Sequence, residues 1–367
     1  MTGKPTETLA ASRTGIATEN SPATPSETPT ATPTPHLTEK LVRFQQPEKA
    51  LRYLGELPEA RLAGLFDLDA DAYRALLRDF DEQARATAAE LTKDPDFADR
   101  ADRLPFRPGQ RIVALGESTT ADRLSWFSIL RHLLPDGVEL VNLAVSGLTT
   151  SQALAQLPQL SFLRPDWVLC MLGANDAQRL GRGPGAPGTR LVSEAETIRN
   201  LLALRELGGG SARTGDAGAA GDPGAAANVG DVGDVGDTAP DRWIWLTPSS
   251  IDQERADAYP HFRRAGIGWA SEDVDAVADF LLGRPERTVD TRQATAGLQL
   301  DDGIHLTLEG QRAVAIALVD ALAESATKET RAERGAERGT DAGAGAGAGA
   351  GTGTGAGTGA ATVAATS

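Results

Sequence analysis

The chain has 367 residues, with 36 Lys and Arg against 51 Asp and Glu, a net charge of −15 and an isoelectric point near 4.8. So acidic a chain lacks the basic stripe that a nucleic-acid phosphate backbone demands, and no run of 18 apolar residues is present to span a membrane. A lone cysteine, Cys170, excludes an internal disulfide and a cysteine-built zinc cage.

Residues 1–37 are rich in Thr, Ser and Pro, as in Ser26-Glu27-Thr28-Pro29-Thr30-Ala31-Thr32-Pro33-Thr34-Pro35. Prolines at that density remove backbone donors, and the segment is read as a disordered tail. The first residues carry no apolar stretch of the kind a secretory signal needs, so the expected location is cytoplasmic.

Residues 38–105 turn to Leu, Ala, Arg and Glu and are read as a helical extension. Tyr73, Leu76, Leu77, Phe80, Ala84, Ala88 and Leu91 recur at three- and four-residue steps, an amphipathic helix capped by Asp69 and ending near Asp94-Pro95. Shorter helices are expected over Pro47–Leu54 and Pro58–Phe66. A helical collar on the following domain fits so narrow a stripe better than a partner-binding bundle.

Residues 106–325 alternate between apolar strands and helices. Strands are expected at Arg111–Leu115, Val138–Leu143, Asp166–Leu172, Trp243–Thr247 and Thr288–Asp290. Helices are expected at Ser125–Leu134, Ser151–Leu157, Ser193–Leu207 (a Ser193/Glu196 capping box), Ser271–Leu282 with Ser271 as cap, and Thr307–Leu322. This alternation implies a parallel sheet covered on both faces. Residues 208–241 interrupt it as a low-complexity Gly/Ala/Asp insertion, and 326–367 form a Gly/Ala/Thr-rich tail. Ten glycines lie between Gly208 and Gly236 and eleven between Gly335 and Gly359, with too few large side chains to offset the entropy of ordering.

In open parallel sheets ligands lie beyond the carboxyl ends of the strands. The residues at those ends are Gly116-Glu117-Ser118-Thr119-Thr120, then Asn142 through Ser146-Gly147, then Gly173-Ala174-Asn175-Asp176. Asp301-Asp302-Gly303-Ile304-His305-Leu306-Thr307 precedes the last helix. Ser118 in a Gly-flanked turn can act as a nucleophile once a base takes its proton. Of the four histidines, His36 falls in the tail, His132 at a helix end and His261 beside Arg263 and Arg264. His305 alone has a carboxylate within one turn and a strand-end address. Asp302 is spaced to reach its Nδ1, with Asp301 as a competitor. Singly, these residues also fit bland roles: Ser118 an N-cap, Gly147 a turn, Asn175-Asp176 a turn and helix cap. Cys170, Trp167, Trp243 and Trp245 are read as core.

These blocks resemble those of the SGNH hydrolases, the GDSL esterase/lipase family, over roughly Gln110–Leu322. The helical prefix resembles an actinobacterial subgroup. The resemblance implies a flavodoxin-like three-layer α/β/α domain and ester hydrolysis through an acyl-enzyme, without a cofactor or metal, on a small-molecule ester. It implies Ser118 as nucleophile, His305 as base and Asp302 as the acid, and an oxyanion hole from the amides of Ser118 and Gly147 and the side chain of Asn175. The family usually has Asp before the serine; here it is Glu117, which puts efficiency in question more than reaction class. An acyltransferase with the same triad, or a catalytically weak scaffold on this fold, are the alternatives.

The insertion enters after a helix and leaves before a strand, and lengthening such a connection costs only about 0.6 kcal/mol per doubling. Replacing 208–241 by a short Gly/Ser linker should leave ester turnover and Tm nearly unchanged. A large loss of either, by thermal denaturation or kinetics, would show that the segment packs on the domain.

Overall fold

The computed structural model describes residues 35–50, 56–183, 186–209 and 242–324. The bulk of both expected tails, the end of the Pro47–Leu54 helix and nearly all of the insertion lie outside the described residues.

Five helices come first: α1 (Pro35–Phe44), α2 (Pro47–Ala50), α3 (Glu59–Gly64), α4 (Ala70–Leu91) and α5 (Pro95–Asp102). Asp69 caps α4 by accepting from the Ala72 amide. Asp94-Pro95, expected as a stop, is the start of α5: Asp94 accepts from the Asp96 amide and Pro95 occupies the first turn, where a missing N–H costs nothing. Helix α1 begins at Pro35, so Pro35, His36 and Leu37, which composition alone assigned to the tail, are helical. Proline at a helix start is a nucleating position, and composition does not register it.

The α/β part runs β1 (Arg111–Gly116), α6 (Ser118–Ala121), α7 (Trp126–Arg131), β2 (Glu139–Asn142), α8 (Thr150–Ala153), α9 (Leu157–Leu163) and β3 (Trp167–Met171). It continues with β4 (Arg179–Leu180), β5 (Thr189–Arg190), α10 (Glu194–Gly209), β6 (Trp243–Leu246), α11 (Gln253–Ala258) and α12 (Pro260–Ala265). Last come β7 (Ile267–Gly268), α13 (Ser271–Leu282), β8 (Arg287–Val289) and α14 (Arg292–Thr295), then α15 over 308–324. Two capping expectations change. Ala270, not Ser271, is the residue before α13, and the first amide of that helix is met by Gln253 Oε1 at 2.9 Å. At α10, Ser193 Oγ accepts from the Glu196 amide, but the Glu196 carboxylate turns to Arg199.

The main sheet has the order β2-β1-β3-β6-β8 with every pairing parallel, the flavodoxin-like arrangement. A second sheet of three short antiparallel strands, β5-β4-β7, was not anticipated, because two-residue strands leave no periodic signal.

Side chains alternate between the two faces of the main sheet. Ile112, Ala114, Leu169, Met171, Ile244 and Leu246 face one core with Trp126, Ile129 and Leu130 of α7 and Val314, Leu318 and Leu322 of α15. Val113, Leu115, Val168, Cys170, Trp243 and Trp245 face the other, with Leu160, Leu201, Leu204, Val277 and Leu281. Ala84, Ala88 and Leu91 of α4 and Phe97 of α5 belong to the first core, so the helical prefix covers the domain as a collar. Trp243 and Trp245 are buried and meet edge to face at 5.2 Å. Cys170 is buried, and burial pushes its thiol up, which suits a core residue and not a nucleophile. Among the described residues no helix is long and apolar enough to cross a membrane.

Leu169 is fully buried in the middle strand, paired with Ala114 on one side and Ile244 on the other. Leu169→Ala should cost about 2–5 kcal/mol, read as a lowered midpoint in urea denaturation.

Candidate active site

The carboxyl ends of β1, β2 and β3 lie together, as Asn142 Nδ2 donates to the Thr120 carbonyl and Glu117 accepts from the Asn175 amide, and Gln311 of α15 donates to the Thr119 carbonyl. Ser118 opens α6 directly after β1 and is 8% exposed. Gly147 has φ +80° with open space where a Cβ would stand, so the dihedral, not crowding, requires glycine there. Among the described residues, the amides of Ser118 and Gly147 donate to no other group.

The His305 loop is held more tightly. Gly303 has φ +72°, and a Cβ there would collide with the Asp252 carbonyl and the Ala256 amide. That turn folds the loop so that Asp302 Oδ2 meets His305 Nδ1 at 2.9 Å, while Oδ1 accepts from the amides of Ile304 (3.0 Å) and His305 (2.9 Å). Burial alone would push the Asp302 carboxyl up, but these bonds and the imidazole hold it well below the usual carboxylate range. Among the described residues Asp301 makes no hydrogen bond or ion pair with His305; its exposed side chain pairs with Lys40 at 3.3 Å. No hydrogen bond joins Ser118 Oγ to the His305 ring among the described residues. The other histidines lie apart: His36 exposed on α1, His132 at the end of α7 near Asp81 (3.2 Å), and His261 against the Tyr259 ring. No group of three metal-ligating side chains converges among the described residues.

Glu117 and Asn175 are joined. Glu117 Oε1 accepts from the Ala174 amide (3.2 Å), and Oε2 from the Asn175 amide (3.1 Å) and Asn175 Nδ2 (2.8 Å). The second Nδ2 proton points to the Leu148 carbonyl at 3.3 Å, so both donors of the Asn175 amide are engaged. Asp176 is structural: it accepts from the Thr150 amide (2.8 Å), the Thr150 hydroxyl and the Thr197 hydroxyl (3.0 Å), tying β3 to α8 and α10.

Sequence reasoning missed four residues beside the site. Lys40 donates to Asp302 Oδ2 at 3.2 Å. Arg43 grips buried Asp122 with two bonds, 2.8 and 2.7 Å, and donates to the Leu306 carbonyl at 3.0 Å. Gln311 Nε2 donates to Asp122 and to the Thr119 carbonyl, both at 3.0 Å. A Lys or Arg on an amphipathic helix reads as solvated face, and no local pattern marks its partner.

The sequence matches the profile of the GDSL-like lipase/acylhydrolase family over residues 114–313. No curated protein matches it. Similar solved structures include a lipase/acylhydrolase from Enterococcus faecalis, 17% identical, covering 59% of this chain and 96% of that one, TM-score 0.40. A carbohydrate acetylesterase from Sinorhizobium meliloti is 17% identical over 59% of this chain and 99% of its own, TM-score 0.40. A psychrotrophic esterase from Pseudoalteromonas sp. is 17% identical over 59% and 97%, TM-score 0.36.

Burial pushes the Glu117 carboxyl up to about 8, against the pull of its three donors and with help from Asp176. The folded chain therefore binds this proton more tightly than the unfolded one, whose carboxyl has the ordinary value of 4.5. The stability this gives is complete below the unfolded value and is lost as pH rises toward 8. Glu117→Gln cannot titrate. The Tm of the wild type minus that of Glu117→Gln should fall steadily from about pH 5 to about pH 8, measured by calorimetry; a flat difference would mean Glu117 is already ionised at pH 5.

Proposed function

The chain belongs to the GDSL-like lipase/acylhydrolase family, and on that premise we propose that it is a serine esterase that cleaves small carboxylic esters through an acyl-enzyme. The observation that carries this reading is the Asp302–His305 pair, at 2.9 Å on a loop that Arg43 links to Asp122, four residues after Ser118. Asp302 fixes the tautomer with the proton on Nδ1 and leaves Nε2 free to act as base.

In the proposed reaction Ser118 Oγ attacks the ester carbonyl carbon while His305 Nε2 takes the hydroxyl proton. The carbonyl oxygen becomes an oxyanion that receives the free amides of Ser118 and Gly147. Asn175 joins as the third donor by exchanging its long bond to the Leu148 carbonyl for the oxyanion, keeping the shorter one to Glu117. Each such donor contributes about 3 kcal/mol or more to the transition state. Collapse breaks the C–O bond to the alcohol, which leaves with the proton from His305. Water then repeats the cycle on the acyl-enzyme, delivering a proton to His305 and releasing the acid and Ser118. A protonated imidazole cannot accept the proton in either step. An acyltransferase would differ only in the acceptor that replaces water, and added alcohol acceptors with product analysis separate the two.

Ser118→Ala and His305→Ala should each remove turnover of p-nitrophenyl acetate to a similar degree, about 10³-fold or more, because nucleophile and base act as one unit. Asp302→Asn should be severe but leave more activity, and Asp301→Asn mild. A fluorophosphonate should label the wild type and not Ser118→Ala. Full turnover in Ser118→Ala would overturn the reading, and absence of both turnover and labelling in the wild type would point to a scaffold.

A further inference from the structure

The family match begins at residue 114, yet α1, far upstream, touches the Asp302–His305 pair with two side chains. Lys40 Nζ lies 3.2 Å from Asp302 Oδ2, the same oxygen that meets His305 Nδ1. The Phe44 ring lies 4.6 Å from the His305 ring, centroid to centroid, tilted by 48°. The helix is pinned in that position. Arg43 forks onto Asp122, Gln46 donates to the Ala121 carbonyl, and Ser146 Oγ donates to the Phe44 carbonyl. The residues after Ser118 and the loop that carries Gly147 are thus bonded to the α1 segment.

We propose that Lys40 is a positioning residue of the active site, holding Asp302 against His305 and restraining how readily the imidazole takes a second proton. This rests on the esterase reading above for its catalytic meaning. An oxygen shared by an ammonium and an imidazole gives each less negative charge than it would give alone. Burial would discharge Lys40, but its bonds to Asp302 outweigh that and keep it cationic.

The other charges around the pair are compensated or distant from the shared oxygen. From α1, Arg43 is neutralised by Asp122. From α11, Arg255 pairs with Asp252 and donates to the carbonyls of Gln299 and Leu300. Tyr259, ahead of α12, presents its ring to Lys40 at 5.4 Å. Asp301 on the same loop shares Lys40 at 3.3 Å, and Glu117 at the end of β1 faces Asn175. Removing Lys40 therefore leaves the Asp302 carboxylate at His305, and Asp301 next to it, without the lysine that both share.

The test uses the full chain with Lys40→Met and Lys40→Gln, both uncharged, and Lys40→Arg, which keeps the charge. The His305 imidazole is followed by NMR titration, assigned by its loss in His305→Ala, and kcat/KM for p-nitrophenyl acetate is profiled against pH. In Lys40→Met and Lys40→Gln the imidazole midpoint should move to higher pH by about half a unit or more, and the acidic limb of kcat/KM should move with it. Lys40→Arg should restore both toward the wild type. A role confined to packing would lower Tm or kcat without moving either midpoint. Unchanged midpoints in both uncharged variants, or in whichever of them folds, would overturn the proposal. A midpoint that moves in a wild-type background that turns over no ester would leave the Lys40 contact standing and remove the esterase reading.

Discussion

One buried carboxylate, Asp122, holds three distant stretches of chain in register. It lies four residues after Ser118 and takes two bonds from Arg43 on α1, one from Gln311 on α15 and one from the Leu124 amide. Arg43 continues to the Leu306 carbonyl beside His305, and Gln311 also ties the Thr119 carbonyl and the Trp126 amide. A buried ion pair adds little net stability over a well-packed apolar group. Leaving one of its members alone is costly, about 3–5 kcal/mol. What such a pair selects is arrangement: with Asp122 satisfied, the serine turn, the histidine loop and α1 have one mutual placement.

Around that hub the strand ends form a rigid polar floor. Glu117 and Asp176 are buried carboxylates on either side of Asn175, each accepting at least three bonds. Burial pushes both carboxyl groups up in spite of these donors, and the bonds they accept stiffen the loop that carries Asn175. Glu117 is one methylene longer than the aspartate usual at this place in the family. It meets the Asn175 side chain directly at 2.8 Å, so one proton of that amide is already anchored. That orientation restrains Asn175 and draws on its donor capacity at once.

Much of this was legible in the chain. The unbroken apolar runs Ile112-Val113-Ala114-Leu115 and Val168-Leu169-Cys170 dictate strands buried on both faces, and their alternate side chains divide between the two cores. The serine, glycine, asparagine and Asp-x-x-His blocks could be found because each follows a strand or precedes a helix with a clear period. What remained hidden depended on partners far away in sequence. Nothing near Lys40 or Arg43 signals Asp302 or Asp122, since a cation on a helix face has the same local pattern whether it meets water or a carboxylate. The Asn175 amide's engagement by Glu117 is a matter of side-chain reach, which spacing does not encode. The Asp94-Pro95 pair was legible but ambiguous: the same dipeptide ends one helix and begins another.

The contact between Lys40 and Asp302 spans 262 positions, and this separation dictates when the site can come into being. During synthesis at roughly 5–20 residues per second, α1 leaves the ribosome on the order of ten seconds to a minute before the loop it meets. The apolar faces of α1 and α4 wait through that interval without Leu308, Val314 or Leu318, the side chains that later cover them. An isolated ten-residue helix such as α1 is marginal in water, so α1 is expected to fluctuate until α15 arrives. Assembly of the Lys40–Asp302–His305 cluster is therefore a late event, coupled to emergence of the loop that carries Asp302 and His305 rather than to folding of the strands before it.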